Sequence, residues 1–503
     1  MRHAGLMLPL FSATSSRSWG SGELPDLIPL SSWLASAGFD RLMILPIGVV
    51  AAGDTSPYSA QSSMAIDPQY IALTDLPDFA AAGGEAAMSE AARQDLTTAR
   101  ASDTIEYARV RRAKAEALGR AFDHFYRDEW GHLTTRAAAL AAYISRERWW
   151  LDDWATYAAI GGAAGTLDWR DWPAPLRDRD RLALEEVRRH LFRDVLRHQY
   201  LQWIAESQWQ AARESARANG VTVVGDMPFM VSAASPDVWV RPDEVMLDVS
   251  LGVPPDAFSA TGQDWGLPTY RWDRIAATDY AWIRQRARRM AALYGGYRVD
   301  HLVGWFRTYG KPPDADAFFN PGDEPAQVAQ GEAILRILID SGASIIAEDL
   351  GVVPPFVRQA LERIGVPGCK VMRWERDWHA PGHPFTDPAT YPPLSAAMTG
   401  THDTETLAEW WTTEGDPGRP WNDEIRDALL VAAYESGSDD LFLPAQDVFG
   451  WTDRINVPAT IGDHNWTWRL PWRVDQISEQ PQAIERAEFC RTIAAASRRS
   501  PTT

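Results

Sequence analysis

Cysteine is nearly absent: Cys369 and Cys490 are the only two in 503 residues. Two thiols cannot build a disulfide framework in a chain this long, and they lack the CxxC spacing of zinc or redox sites. The compartment this implies is a reducing cytoplasm. Basic residues are also scarce, with 49 Lys+Arg against 68 Asp+Glu and a net charge of -19. Such a field repels phosphate backbones and anionic headgroups, which argues against nucleic-acid and membrane partners. No stretch reaches the roughly 20 apolar residues of a membrane helix. The apolar start Gly5-Leu6-Met7-Leu8 is interrupted by Pro9 and reads as a first strand, not a signal peptide. HExxH, His/Cys clusters, a P-loop and a GxGxxG in strand-turn-helix context are all missing, so neither a metal nor a nucleotide cofactor is implied. What is abundant is tryptophan, 24 residues of it. Large aromatic faces suit a flat, uncharged ligand, which an acidic surface does not repel.

Apolar residues make up 45% of the chain, enough for a sizeable core. Short apolar, β-branched runs recur and end in polar residues: Arg41-Leu42-Met43-Ile44-Leu45-Pro46, Val221-Thr222-Val223-Val224-Gly225-Asp226 and Tyr297-Arg298-Val299-Asp300-His301. The series continues with Ser344-Ile345-Ile346-Ala347-Glu348-Asp349, Lys370-Val371-Met372-Arg373-Trp374-Glu375 and a run from Ala396 to Asp403. Strands buried on both faces have this composition, and helical patterns such as Val357-Arg358-Gln359-Ala360-Leu361 alternate with them. The expected fold is α/β, a (β/α)8 TIM barrel with mostly helical insertions between strands and its site at the strand C-termini. First barrel strands are assigned to residues 1–74, a helical insertion to 75–220, and the central barrel with catalytic strand ends to 221–403. A second helical insertion is assigned to 404–450, and a last strand near Asn456-Val457-Pro458 with a C-terminal segment to 451–503.

Asp226, Asp300, Glu348 and Asp403 stand where buried strands should end. A retaining glycosidase needs two carboxyl groups about 5 Å apart, one as nucleophile and one as general acid. Each acid alone reads better as a helix N-cap or a satisfied buried carboxyl. Together they indicate a barrel enzyme with carboxylate chemistry, and spacing says no more than that.

The words around these acids are more specific. Gly225-Asp226-Met227-Pro228, Arg298-Val299-Asp300-His301, Ala347-Glu348-Asp349-Leu350-Gly351 and Thr401-His402-Asp403 follow one another in this order. They resemble the four signature regions of the α-amylase clan. Further words are Asp54-Thr55-Ser56-Pro57-Tyr58, Asp237-Val238-Trp239, Val253-Pro254-Pro255-Asp256 with its continuation through Gly262-Gln263-Asp264-Trp265-Gly266, and Arg454-Ile455-Asn456 with Asn465-Trp466-Thr467-Trp468-Arg469. With these the sequence is similar, over residues 4–472, to the amylomaltases, the 4-α-glucanotransferases of glycoside hydrolase family 77.

The resemblance implies roles residue by residue. Asp300 would be the nucleophile, kept as the carboxylate by Arg298 two residues before it on the same strand face. Glu348 would be the general acid and then the base, protonated at the outset through desolvation. Asp403 would grip the donor sugar and stabilise the oxocarbenium-like state, with His402 on the same ring and Asp226 shaping its pocket. Tyr58 and Trp265 would be stacking platforms, with Gln263 as a flanking polar group and Trp265 in a loop. His301 either contacts ligand or supports a residue that does. Trp149, Trp150, Trp154, Trp203 and Trp209, at helical spacing, read as core.

The sequence departs from the family at several places. Leu302-Val303-Gly304 stands where Phe-Arg-Gly is usual, Leu267 where Asn is common, Ala257 where an aromatic is frequent, and Thr404-Glu405 where Asn-Asp is common. Most of these lie where acceptor subsites and a lid are expected, and none replaces an acid. The implied partners are malto-oligosaccharides and α-1,4-glucans, and the implied state is a monomer or weak homo-oligomer. The alternatives are an α-1,4-glucan hydrolase of the same clan and a non-catalytic glucan-binding protein.

Overall fold

The computed structural model describes residues 2–51, 53–255, 262–458, 460 and 462–499. Asp256, Ala257 and the motif residues that follow as far as Thr261 lie outside the described residues. The strands, in chain order, are β1 (His3–Met7), β2 (Arg41–Met43), β3 (Thr222–Met227), β4 (Val245–Val253), β5 (Gln263–Tyr270) and β6 (Gly296–Val299). They continue with β7 (Thr308–Lys311), β8 (Phe318–Asn320), β9 (Ser344–Ala347), β10 (Gly368–Val371), β11 (Ser395–Met398) and β12 (Asp440–Pro444). Eight of them close a parallel barrel in the order β1-β12-β11-β10-β9-β6-β3-β2. The (β/α)8 expectation therefore holds.

The apolar runs form strands because both faces are covered. All four residues of β6 and of β11 are buried. Inside the barrel Met7, Met43, Val224, Val371, Met398 and Phe442 pack on one another. The fit is close at Gly5, where a Cβ would lie 2.6 Å from the Phe442 ring, so only glycine leaves that ring its place.

Between β2 and β3 the chain is helical, with long helices at Tyr107–His124, Thr135–Ala164 and Phe192–Ala218. Thr134 caps the second of these by accepting a hydrogen bond from the Ala137 N–H, and Gly165 ends it in the left-handed conformation at φ 72°. Trp150, Trp154 and Trp209 are buried, and Trp149 and Trp203 pack on the same core. Arg289 ties this layer to the barrel: its Nη1 lies 2.8 Å from Glu206 Oε2, and its Nε donates to the Met64 carbonyl at 2.7 Å.

Two features differ from expectation. The eighth barrel strand is β12, inside residues 404–450, and not a strand at Asn456–Val457–Pro458. Residues 456–458 form a loop instead: the Val457 N–H donates to Asn465 Oδ1 at 2.8 Å, and the Asn456 amide points to Asp403. The second is an additional antiparallel sheet, order β5-β4-β7-β8, standing beside the barrel after β3 and β6. Trp265 lies on β5 of this sheet, not in a loop.

Candidate active site

Strand register brings the acids together. In the β3/β6 pair Asp226 faces Arg298, and in the β6/β9 pair Val299 faces Ala347. Asp300 and Glu348 are the next residues on β6 and β9, and each extends the ladder by one bond. The Asp300 N–H donates to the Met227 carbonyl at 3.2 Å, and the Glu348 N–H donates to the Val299 carbonyl at 3.1 Å. Neighbouring strands run about 4.8 Å apart, so Asp300 and Glu348 leave adjacent strand ends side by side.

One guanidinium joins them. Arg298 is 5% exposed. It donates from Nε to Asp226 Oδ2 at 2.8 Å and from Nη2 to Asp300 Oδ1 at 3.1 Å, and its Nη1 lies 3.4 Å from Glu348 Oε2. The second Asp300 oxygen accepts the Phe229 backbone N–H at 3.3 Å. A planar fork can serve three carboxyl groups at once, which a single ammonium cannot.

The two central acids differ in environment. Burial pushes Glu348 from its ordinary 4.5 to about 8; Arg298 works against this and the Asp300 charge adds to it. At neutral pH Glu348 thus carries a proton to give. Its Oε2 also accepts the His301 backbone N–H at 2.5 Å. His301 can aim that N–H because its φ is 46°, a left-handed conformation uncommon outside glycine and often found at functional sites. Burial holds the His301 imidazole down at about 4, opposed by Asp300.

On one flank Tyr58 donates to Asp226 Oδ2 at 2.7 Å and accepts from Arg298 Nη2 at 2.8 Å. Its ring stacks on His402 with centroids 5.2 Å apart and planes 19° from parallel. His402 Nε2 lies 3.2 Å from Asp403 Oδ2, and Asn456 Nδ2 donates to Asp403 Oδ1 at 2.6 Å. Burial alone would raise Asp403, but His402 and the Asn456 amide outweigh it and hold the carboxyl at about 2. Its side chain is 43% exposed, open to a ligand, whereas that of Asp226 is 1% exposed. Asp403 stands in the loop beyond Met398, the last residue of β11, not at the strand end itself.

On the other flank Trp265 meets the His301 ring edge-on at 4.8 Å and donates its Nε1 to Gln263 Oε1 at 3.1 Å. Phe229 closes the far side of His301 at 5.4 Å. All ten residues singled out from the sequence thus join one continuous network, from Gln263 and Trp265 through His301, Glu348 and Arg298 to Tyr58, His402 and Asp403. Among the described residues no group of three or more His, Cys, Asp or Glu is arranged to hold a metal ion.

A family model described as 4-alpha-glucanotransferase matches residues 8–475. The 4-alpha-glucanotransferase of Thermus thermophilus is 33% identical over 465 residues, covering 87% of this chain and 89% of the relative. The chain belongs to the 4-alpha-glucanotransferase family. The family's Chlamydia pneumoniae member is 29% identical over 499 residues, covering 94% of this chain and 92% of its own length. Among solved structures, an amylomaltase from Streptococcus agalactiae in complex with acarbose superposes with a TM-score of 0.82 at 24% identity, covering both chains fully. That likeness is one of fold.

Three groups that contact this candidate site are not singled out from the sequence: Asn456, the Phe229 N–H and Trp466. The Trp466 ring lies 5.7 Å from His402 and 5.8 Å from Tyr58. Asn456 and Trp466 were visible only as parts of matching words, and the Phe229 contact is made by backbone, which leaves no signal in residue type.

Proposed function

We propose that the chain transfers α-1,4-glucan segments between malto-oligosaccharides by a retaining double displacement. The observation that carries this is the pairing of Asp300 and Glu348 at registered strand ends under one guanidinium, in a member of this family. The Asp300 carboxylate attacks the anomeric carbon while Glu348 gives its proton to the departing glycosidic oxygen. The covalent glucosyl ester is then displaced by an acceptor hydroxyl, whose proton returns to Glu348. Arg298 orients the nucleophile. Asp403 and His402 grip the donor ring, and Tyr58 and Asp226 form its pocket.

The glycosyl-enzyme partitions between water and sugar, and apolar walls at the acceptor side favour sugar. Trp265 and His301 supply such walls, and the chemistry of an uncharged polyol fits them in spite of the net charge of -19. Incubation with maltotriose tests this reading. A ladder of longer oligosaccharides together with glucose supports transfer, whereas maltose and glucose alone would replace it with hydrolysis. We place the protein in a cytoplasm as a monomer or weak homo-oligomer. Both cysteines are free and buried, and among the described residues no helix is long and apolar enough to cross a membrane. Light scattering across concentration reads the assembly state.

A further inference from the structure

Behind the donor flank lies a buried ion pair that touches none of the reacting groups. Arg373 follows β10, Asp447 lies in the short helix Ala445–Phe449 after β12, and each is 1% exposed. The loop that begins after β11 runs between them and carries His402 and Asp403. Both of its ends are tied to the pair. At the first end Arg373 Nε donates to the Thr399 carbonyl at 2.8 Å, and Thr399 Oγ1 donates to Asp447 Oδ2 at 2.6 Å. At the far end Arg373 Nη1 donates to the Glu405 carbonyl and lies 3.2 Å from Glu405 Oε1, and the Leu407 N–H donates to Asp447 Oδ1 at 2.7 Å. Arg373 Nη2 and Asp447 Oδ2, 3.6 Å apart, close the circuit.

Little room is left for the loop to shift. A Cβ at Gly400 would lie 2.9 Å from Arg373 Nη2 and 2.6 Å from Thr404 Oγ1. Within the loop the Asp403 N–H donates to Thr401 Oγ1 at 3.2 Å, and the Thr401 N–H donates to Thr404 Oγ1 at 3.0 Å. Asp403 is thus held from its own loop, while the loop is held from two neighbouring barrel strands.

We propose that Arg373 and Asp447 are positioning residues for the transfer reaction, clamping residues 399–407 so that Asp403 and His402 meet the donor sugar in register. The inference rests on the transfer reading above. Its physical basis is that a catalytic group displaced by about 1 Å can cost a hundredfold in rate, so the support behind it matters as much as the group itself. Lysine at 373 keeps the charge but cannot bridge Thr399, Glu405 and Asp447 together.

The test combines kinetics with amide exchange. In full-length Arg373→Lys and Asp447→Asn proteins, kcat for maltotriose disproportionation should fall about ten- to a hundredfold. In an Asp403→Asn/His402→Asn background the same substitutions should change the residual rate less than about twofold, because groups acting as a unit are not additive. Hydrogen exchange read by mass spectrometry should quicken in peptides spanning 399–407 and stay as in wild type in β3, β6 and β9. Equal losses in both backgrounds, or unchanged kcat with unchanged exchange, would overturn the clamp. Absence of transfer by the wild type would instead overturn the transfer reading, and the exchange measurement would still decide whether the clamp exists.

Discussion

Glutamine at position 348 should end catalysis yet make the protein more resistant to alkali. Glu348 has its proton affinity raised from 4.5 to about 8 in the folded protein, mainly by burial. Between those two values the native state holds a proton that the unfolded chain releases, so this group's contribution to stability is full below pH 4.5 and is lost as pH rises through about 8. At about 1.4 kcal/mol per pKa unit a shift of this size corresponds to at most about 5 kcal/mol, shared with the neighbouring Asp300 charge. Glutamine imitates the protonated acid: it is neutral, of the same shape, and still accepts the His301 N–H. The stability difference between Glu348→Gln and wild type should therefore be small at pH 5 and grow steadily to pH 9 in favour of the variant. Scanning calorimetry of both proteins at pH 5, 7 and 9 measures it, and titrating groups away from the site are common to the pair. A difference that does not change with pH would refute the assignment of a protonated, buried Glu348. The same ionisation should set the alkaline limb of the wild-type rate profile near pH 8.

Three further outcomes follow from named contacts. Trp265→Ala should raise the KM for a glucose acceptor about three- to tenfold and increase the hydrolysed fraction of maltotriose, with donor-side binding unchanged, as product chromatography would read. Arg298→Lys should keep the fold and lower kcat about a hundredfold, since an ammonium cannot hold Asp226, Asp300 and Glu348 together; a wild-type kcat would contradict the shared-fork role. Arg289→Met removes a cation 1% exposed from between Glu206 and the Met64 carbonyl, and chemical unfolding should register a loss of about 3 to 5 kcal/mol with kcat of the folded protein unchanged.

The barrel was legible where strands are buried on both faces, since Val223 and Val224 or Ile345 and Ile346 leave an apolar run whatever their neighbours. β12 was hidden because Leu441, Phe442 and Leu443 make only three apolar residues between acidic residues and Pro444, directly after the helix Asp423–Tyr434. The sheet of β4, β5, β7 and β8 was hidden for a different reason. Its strands are partly exposed, and Gly266 and Pro268 in β5 read as turn residues, although antiparallel edge strands accept both. The acids themselves stood out through the words around them, while their spacing came only with register, which no single strand encodes. The Arg373–Asp447 pair left no trace, because two charges far apart in sequence read as solvated until the fold buries them against each other.

Asp300 supplies the oxygen of the proposed glucosyl ester. Glu348→Gln protein mixed with α-maltosyl fluoride, whose leaving group departs without acid assistance, should accumulate that ester for lack of a base to activate the acceptor. Mass spectrometry of a rapid acid-quenched digest should find one maltosyl unit on the peptide containing Asp300, and none when Asp300→Asn is added. An adduct on the peptide bearing Asp403 or Asp226 would contradict a nucleophilic Asp300, as would a rapid burst of fluoride release that leaves no adduct on any peptide.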